Sequence, residues 1–490
     1  MGSPTTVNDA SQYKMKNAAS GLVLGIDGQS QTAGTSLVQK SDSGGTDTLW
    51  HVMPMSSGQY NVENLLTHQV MGIKNASTQA GAQALQWADN GTPDHLWDFY
   101  LLKDGNYLIK NANSGLYLEV ANSDATTSAT IDQGARRTTG AGCSCQEWTL
   151  TTNGQSPYPA PRAVDGTGIY VHDPYVLRDA AGTYWLYGTH QTLASSTDGT
   201  TFTYYENCSA AEKGGYTSYC PIIGPDLPSW DGLQTPKSWN SGANTDVWAP
   251  SLMVVNGIYY LYYAIPYEPS TGAEALIGLA TSSSPTGPWT DQGWVIKSWT
   301  STTMPPSGFT TTTFNAIDPA PFIDASGNWW LVFGSWEDGI HLIQLDPTSG
   351  LRLASNSTIY TIAQRGIPSA GEEGPFIYYW NSYYYYFASI NVCCSGVSST
   401  YRIIAGRSKT VTGPYLDRGG IDLMQGGGTI LLSAHGNVDG PGGQSVFTDD
   451  VNGTSTPTLV YHYYDGNANG TPTLGINRLG FDPNGWPYVQ

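Results

Sequence analysis

Three short segments carry acids in matching surroundings. Asp173 lies in His172-Asp173-Pro174, Asp318 in Asn315-Ala316-Ile317-Asp318-Pro319, and Glu373 in Glu372-Glu373-Gly374-Pro375. Each acid falls one or two residues before a Pro, in a chain with only 39 acidic residues. Two carboxyl groups astride a bond are what glycoside hydrolysis requires, one as acid and one as base or nucleophile. A third carboxylate nearby raises the pKa of the acid and helps to orient it. A single Asp before Pro would read as a turn cap; three in the same local frame read as one site, provided the fold brings them together.

The elements that must do so recur. Aromatic-aliphatic runs occur at Tyr184–Tyr187, Tyr259–Tyr263, Trp329–Phe333, Tyr383–Phe387 and Leu459–Tyr463. Such runs suit strands buried on both faces. A Pro stands upstream of each, at Pro174, Pro250, Pro319, Pro375 and Pro441, and Pro is tolerated at the start of a strand. Five all-β repeats of this size predict a five-bladed β-propeller over residues 164–490. The inner strand of every blade would line the central channel, so residues beside each Pro converge on one axis. Segment 208–245 and the stretch near 299–314 read as insertions able to wall one end of a groove.

A second, tighter repeat precedes it. Tyr13-Lys14-Met15-Lys16-Asn17 returns as Tyr60-Asn61-Val62-Glu63-Asn64 and as Tyr107-Leu108-Ile109-Lys110-Asn111, with a period of 47 residues. Each unit closes on a Trp, at Trp50, Trp97 and Trp148. Units too small to bury a core alone must pack around a common axis. This N-terminal region, residues 8–152, resembles the ricin-type β-trefoil, the fold of carbohydrate-binding module family 13. Residues 1–7 read as a tag or tail, and the Pro-containing stretch 153–163 as a semi-rigid linker. The resemblance implies a sugar-contacting acid in each lobe. The matching positions are Gly25, Gly72 and Glu119, so only the third lobe keeps it; Asp27 lies close by in the first, and Trp87 is placed to stack on a sugar face.

Composition agrees with an all-β, extracellular chain. The 490 residues include 58 Gly, 32 Tyr and 16 Trp, and the net charge is -19. No basic patch suggests a nucleic-acid partner, and no apolar run is long enough to span a membrane. The cysteines are Cys143, Cys145, Cys208, Cys220, Cys393 and Cys394. None has a His at zinc-finger spacing. Cys208–Cys220 is the favoured disulfide, and Cys393–Cys394 a candidate vicinal one. Secretion is expected, as is a monomer.

The second region resembles glycoside hydrolase family 43, and most of all its endo-1,5-α-L-arabinanases. The residues that carry the resemblance are Val171-His172-Asp173-Pro174, Val247-Trp248-Ala249-Pro250, Asn315 to Pro319, Phe333-Gly334-Ser335-Trp336, Cys393-Cys394, Ser399-Thr400-Tyr401, Gly406-Arg407-Ser408, Gly426-Gly427-Gly428 and Leu459 to Tyr464. The resemblance implies inverting hydrolysis of α-1,5-linked L-arabinan in plant cell-wall polysaccharide. Asp173 would be the general base, Glu373 the general acid and Asp318 the carboxylate that tunes and positions it. Asp173 and Glu373 would then stand about 6.5–9.5 Å apart, leaving room for water. His172, Trp248, Asn315, Trp336 and Arg407 are candidates for substrate binding. An exo-acting or debranching α-L-arabinofuranosidase, or a β-xylosidase, is the alternative on the same fold, and a non-catalytic glycan-binding protein a weaker one.

Two positions depart from the family pattern. Gly443 stands where a channel His would ligate a structural ion, often calcium, and Ser251 stands where an Asp is usual. No cofactor is therefore expected to be required, and His435, near in sequence, is the remaining candidate metal ligand.

Overall fold

The computed structural model of the chain describes residues 3–137, 143–162, 169–190, 192–205, 247–266, 273–300, 310–367, 370–451 and 453–490. The architecture is all-β, a trefoil followed by a five-bladed propeller. Cys208, Cys220 and the insertion 208–245 lie outside the described residues, as does most of 299–314. Cys393 and Cys394 form a disulfide.

The trefoil repeats its chemistry three times. Trp50, Trp97 and Trp148 are fully buried, and each indole N–H donates to a backbone carbonyl, at Leu24, Met71 and Leu118 respectively. A buried Trp needs such a partner. Gln39 donates to carbonyls of Asp124 and Thr126, Gln86 to those of Ser30 and Thr32, and Gln133 to those of Ser77 and Gln79. Each lobe therefore reaches into the previous one, and the ring closes only with three.

The ends differ from the sequence reading. Ser3–Pro4, placed in an external tail, forms a strand paired with Tyr100 and Leu101, and Val7 joins the trefoil core. The stretch 153–163 is no simple spacer either. Tyr158 is buried, its hydroxyl donates to Glu63 Oε1 at 2.6 Å, and it shares a hydrophobic cluster with the propeller.

The propeller consists of five four-stranded antiparallel sheets, each built from consecutive strands. The inner strands are Tyr175–Arg178, Trp248–Val255, Ala320–Ile323, Glu372–Trp380 and Val438–Val451. Asp173, Ala249, Asp318, Gly374 and Gly443 share a left-handed backbone, with φ of 48°, 43°, 56°, 59° and 57°. The residue after each, namely Pro174, Pro250, Pro319, Pro375 and Gln444, lines one axial cavity of about 40 Å³. These five positions are therefore equivalent. Sequence spacing puts Pro441 at this place in the fifth blade, but the inner strand there carries two irregularities, between Asp439 and Gly442 and between Gly442 and Ser445. They shift the frame, so that Gln444 occupies the Pro position. A left-handed backbone is costly for most residues and mildest for Gly, Asn and Asp, which suits Asp173, Asp318, Gly374 and Gly443.

Candidate active site

The repeated left-handed kink turns a side chain toward the axis at the mouth of the cavity. Blades 1 and 3 place Asp173 and Asp318 there, and both line it. Glu373 comes from the position before the kink. Gly374, at the kink itself, donates its N–H to Asp318 Oδ2 at 2.9 Å, which ties the strand of the third acid to the second acid.

Glu373 is held by donors from other strands. Ser335 Oγ donates to Oε2 at 2.6 Å, and the Tyr401 hydroxyl donates to Oε1. Burial pushes the Glu373 carboxyl up, and the negative charge of Asp173 adds to this, while hydrogen bonds from Ser335, Tyr401 and the Trp336 side chain oppose it. Burial also raises Asp318, helped by Glu373 and Asp173. Clustered carboxyls that are short of water cannot all ionise. Glu372, adjacent to Glu373, points away as strand alternation requires. It accepts from Tyr386 at 2.6 Å, and burial lifts it to about 7 against the opposing charge of Arg365.

Asp173 is partly accessible, with about 31% of its side chain exposed. Thr189 Oγ1 donates to its Oδ2 at 2.5 Å, and Asp173 N–H donates to His462 Nδ1 at 3.1 Å. The His462 ring is buried, which together with His172 lowers its pKa well below that of an ordinary imidazole. It is neutral, with its proton on Nε2.

The other expected residues divide. Trp336 is solvent-exposed, and its ring lies over Gly371, where a Cβ would come within 2.4 Å of it. Asn315 Oδ1 is buried and has no hydrogen-bond donor among the described residues. Trp248 packs on Ala264, Ala275 and Ile317 and remains partly exposed. His172 is buried against His462, at 4.5 Å between ring centroids, and supports the base from behind. Arg407 is not at the site. Its guanidinium is sandwiched between Tyr383 and Trp486 at 4.4 and 4.0 Å and donates to the carbonyls of Asn484 and Gly485. Five residues along its strand from Arg402, roughly 17 Å, it clamps the C-terminal edge instead.

His435 is also elsewhere. Its Nδ1 bonds Ser433 O at 2.8 Å and its Nε2 Pro159 O at 3.2 Å, beside Tyr158 between the domains. A channel ion of the family type is not matched by the residues present. Gly443 has no side chain, a Cβ there would lie 2.4 Å from Asp173 Oδ1, and the Nδ1 lone pair of neighbouring His462 is engaged by Asp173 N–H.

In the trefoil, the Glu119 carboxylate is buried and occupied by the chain's own donors, Arg137 and Gln146, at 2.7 Å each. Asp27 is exposed, and Trp87 is half-buried against Gly34. Gly25 and Gly72 face Lys40 and His95 at distances that leave no room for an acid.

Comparison with known proteins resolves the lineage. Residues 171–487 match the family described as glycosyl hydrolases family 43. The chain belongs to glycosyl hydrolase family 43. Residues 5–87 and 93–159 match a ricin-type β-trefoil lectin-like domain. The family 43 region is similar to an extracellular endo-α-(1→5)-L-arabinanase of Bacillus subtilis, 37% identical over 68% of this chain and 92% of that one. A probable arabinan endo-1,5-α-L-arabinosidase of Aspergillus clavatus is 35% identical over 68% and 94%. Among solved structures, an endo-arabinanase of Bacillus licheniformis matches at 35% identity and a TM-score of 0.54, over 66% of this chain and 99% of that one. A Cellvibrio cellulosa α-L-arabinanase in complex with arabinohexaose matches at 30% and 0.54, over 66% and 96%.

Sequence reasoning missed Thr189, Ser335, Tyr401 and His462 as site residues. Ser335, Tyr401 and His462 stood inside stretches that carry the family resemblance, yet nothing in their spacing pointed at an acid.

Proposed function

We propose that this protein hydrolyses α-1,5-linked L-arabinan with inversion, cutting within the chain. The observation that carries the reading is that Asp173 and Asp318 line one axial cavity and Glu373 stands beside them, close enough for all three carboxyls to interact electrostatically. Glu373, whose carboxyl is raised by burial and by Asp173, is suited to protonate the leaving oxygen. Asp173, partly accessible and oriented by Thr189 and His462, is suited to take a proton from the attacking water. Asp318 accepts from the Gly374 N–H and so grips the strand that carries Glu373. Trp336 offers a platform for a furanose face, and Asn315 Oδ1 an acceptor for a sugar hydroxyl. Similarity to arabinanases over nearly their whole length supports arabinan as the polymer. Gly443 supplies no ligand for a channel ion, and no step is assigned to one.

Exo action on the same linkage is the second reading, because an exo-1,5-α-L-arabinanase from a bovine ruminal metagenomic library matches at 31% identity and a TM-score of 0.54. The protein is proposed to be a secreted monomer, like its extracellular Bacillus relative outside the cell. No helix among the described residues is long and apolar enough to cross a membrane.

The test is product analysis on linear arabinan, with the anomer followed by NMR. Mixed oligosaccharides of inverted configuration are expected. Products of one fixed short size would transfer the assignment to exo action, and retained configuration would refute the roles of Asp173 and Glu373. Glu373→Gln should lose nearly all activity on unactivated arabino-oligosaccharides.

A further inference from the structure

The trefoil reaches the catalytic strands through a buried charge cluster. Asp89, on the second lobe, accepts from Arg402 Nη1 at 3.1 Å and stands 3.6 Å from Arg365 Nη2, and the three side chains are 2–3% exposed. Arg402 Nη2 also reaches Met55 Sδ of the trefoil at 2.9 Å. Arg365 makes no hydrogen bond through any of its guanidinium nitrogens to a described residue. Among the described residues, its charge is answered by Asp89 and, more remotely, by Glu372. The backbones are close as well: a Cβ on Gly91 would meet Ala370 at 2.8 Å, and one on Gly426 would meet Asn90 at 3.1 Å.

Sheet register connects this cluster to the chemistry. Glu372 pairs with Ile390, which pairs with Arg402, so the three form one row across the blade. Neighbours along a strand face opposite ways. Glu372 and Arg402 therefore turn toward the trefoil, while the adjacent residues, Glu373 and Tyr401, turn into the cleft and hydrogen-bond each other. A displacement of Arg402 is a displacement of the residue bonded to Tyr401.

We propose that Asp89 is a positioning residue for the general acid, so that the trefoil is part of the active-site scaffold and not only a carbohydrate-targeting module. This rests on the assignment of Glu373 as the acid. Asp89 is the carboxylate shared by two buried guanidinium groups at the base of the strands that carry Glu373 and Tyr401. Without it, the cations repel each other, and their uncompensated charge favours the ionised form of Glu373. The groups facing Glu373 itself are Asp173, Asp318, Ser335, Trp336 and Tyr401; those around the cluster are Glu63, His95 and Tyr158.

The experiment compares full-length wild type, Asp89→Asn, Asp89→Glu and the double variant Asp89→Asn/Arg402→Met on soluble arabinohexaose, with Glu373→Gln as the control. For Asp89→Asn, kcat is expected to fall by about tenfold with KM little changed. The alkaline limb of the pH profile should move to lower pH, and Asp89→Glu should restore part of both. The double variant removes one buried charge of each sign, so that Arg365 beside Glu372 is the one guanidinium of the cluster left without Asp89; it is the milder lesion where Asp89→Asn alone does not fold, and it should still lose kcat through displacement of Tyr401. Folded variants with wild-type kcat and pH profile on arabinohexaose, deficient only on insoluble arabinan, would overturn the proposal. Full activity of Glu373→Gln would instead overturn the assignment of the acid.

Discussion

Gly443 and Asp173 occupy the same register position on the inner strands of neighbouring blades, and a Cβ on Gly443 would stand 2.4 Å from Asp173 Oδ1. The missing side chain is thus the space in which the carboxylate sits. Gly443→Ala should push Asp173 off its water-activating position. About a hundredfold loss in kcat is expected, measured on arabino-oligosaccharides alongside the thermal midpoint. A left-handed Ala costs on the order of 1–3 kcal/mol, so both readings should fall, but activity far more.

The same geometry bears on metal dependence. With Gly443 bare and His462 Nδ1 bonded to Asp173 N–H, exhaustive treatment with a chelator should leave kcat unchanged. Loss of activity on chelation, restored by calcium, would show an ion held by other residues.

Tyr401 donates to Glu373 Oε1, and this bond favours the ionised carboxylate. Tyr401→Phe removes that bias, so the Glu373 pKa should rise further. The acid must be protonated to work, and activity is lost as pH climbs through its pKa. The alkaline limb of kcat should accordingly shift to higher pH in the variant, with a lower plateau from a less ordered acid.

Between the domains, Glu63 is fully buried and accepts from His51 at 3.1 Å, His68 at 2.8 Å and Tyr158 at 2.6 Å. Burial alone would raise its carboxyl, but the two imidazoles bring it down from 4.5 to about 2. A depressed folded-state pKa contributes stability above the unfolded value and loses it as pH falls through the folded one. Stability on the order of 3 kcal/mol should therefore disappear between roughly pH 4.5 and 2. Glu63→Gln should be less stable at neutral pH and should show a flatter acid-unfolding curve across that window, followed by tryptophan fluorescence.

Much of this molecule was legible as one-dimensional pattern. The 47-residue period with its terminal Trp residues specified three lobes, because each indole and each bridging Gln must repeat for the ring to close. The aromatic runs specified five blades, and the acids before Pro174, Pro319 and Pro375 marked candidate site residues at equivalent places in three of them, which the circular arrangement of the blades brings together. What pattern could not carry is contact across blades and domains. Pro441 looked like the fifth marker, yet two strand irregularities hand its place to Gln444 and bring Gly443 level with Asp173. Arg407 shared a strand with site-supporting residues but lies too far along it. Ser335, Tyr401, Thr189 and Asp89 reach the acids or their strands only once sheets pair and the trefoil docks. Periodicity records which way a residue faces on its own strand; its partner is set by the register and packing of chains that the sequence holds tens to hundreds of residues apart.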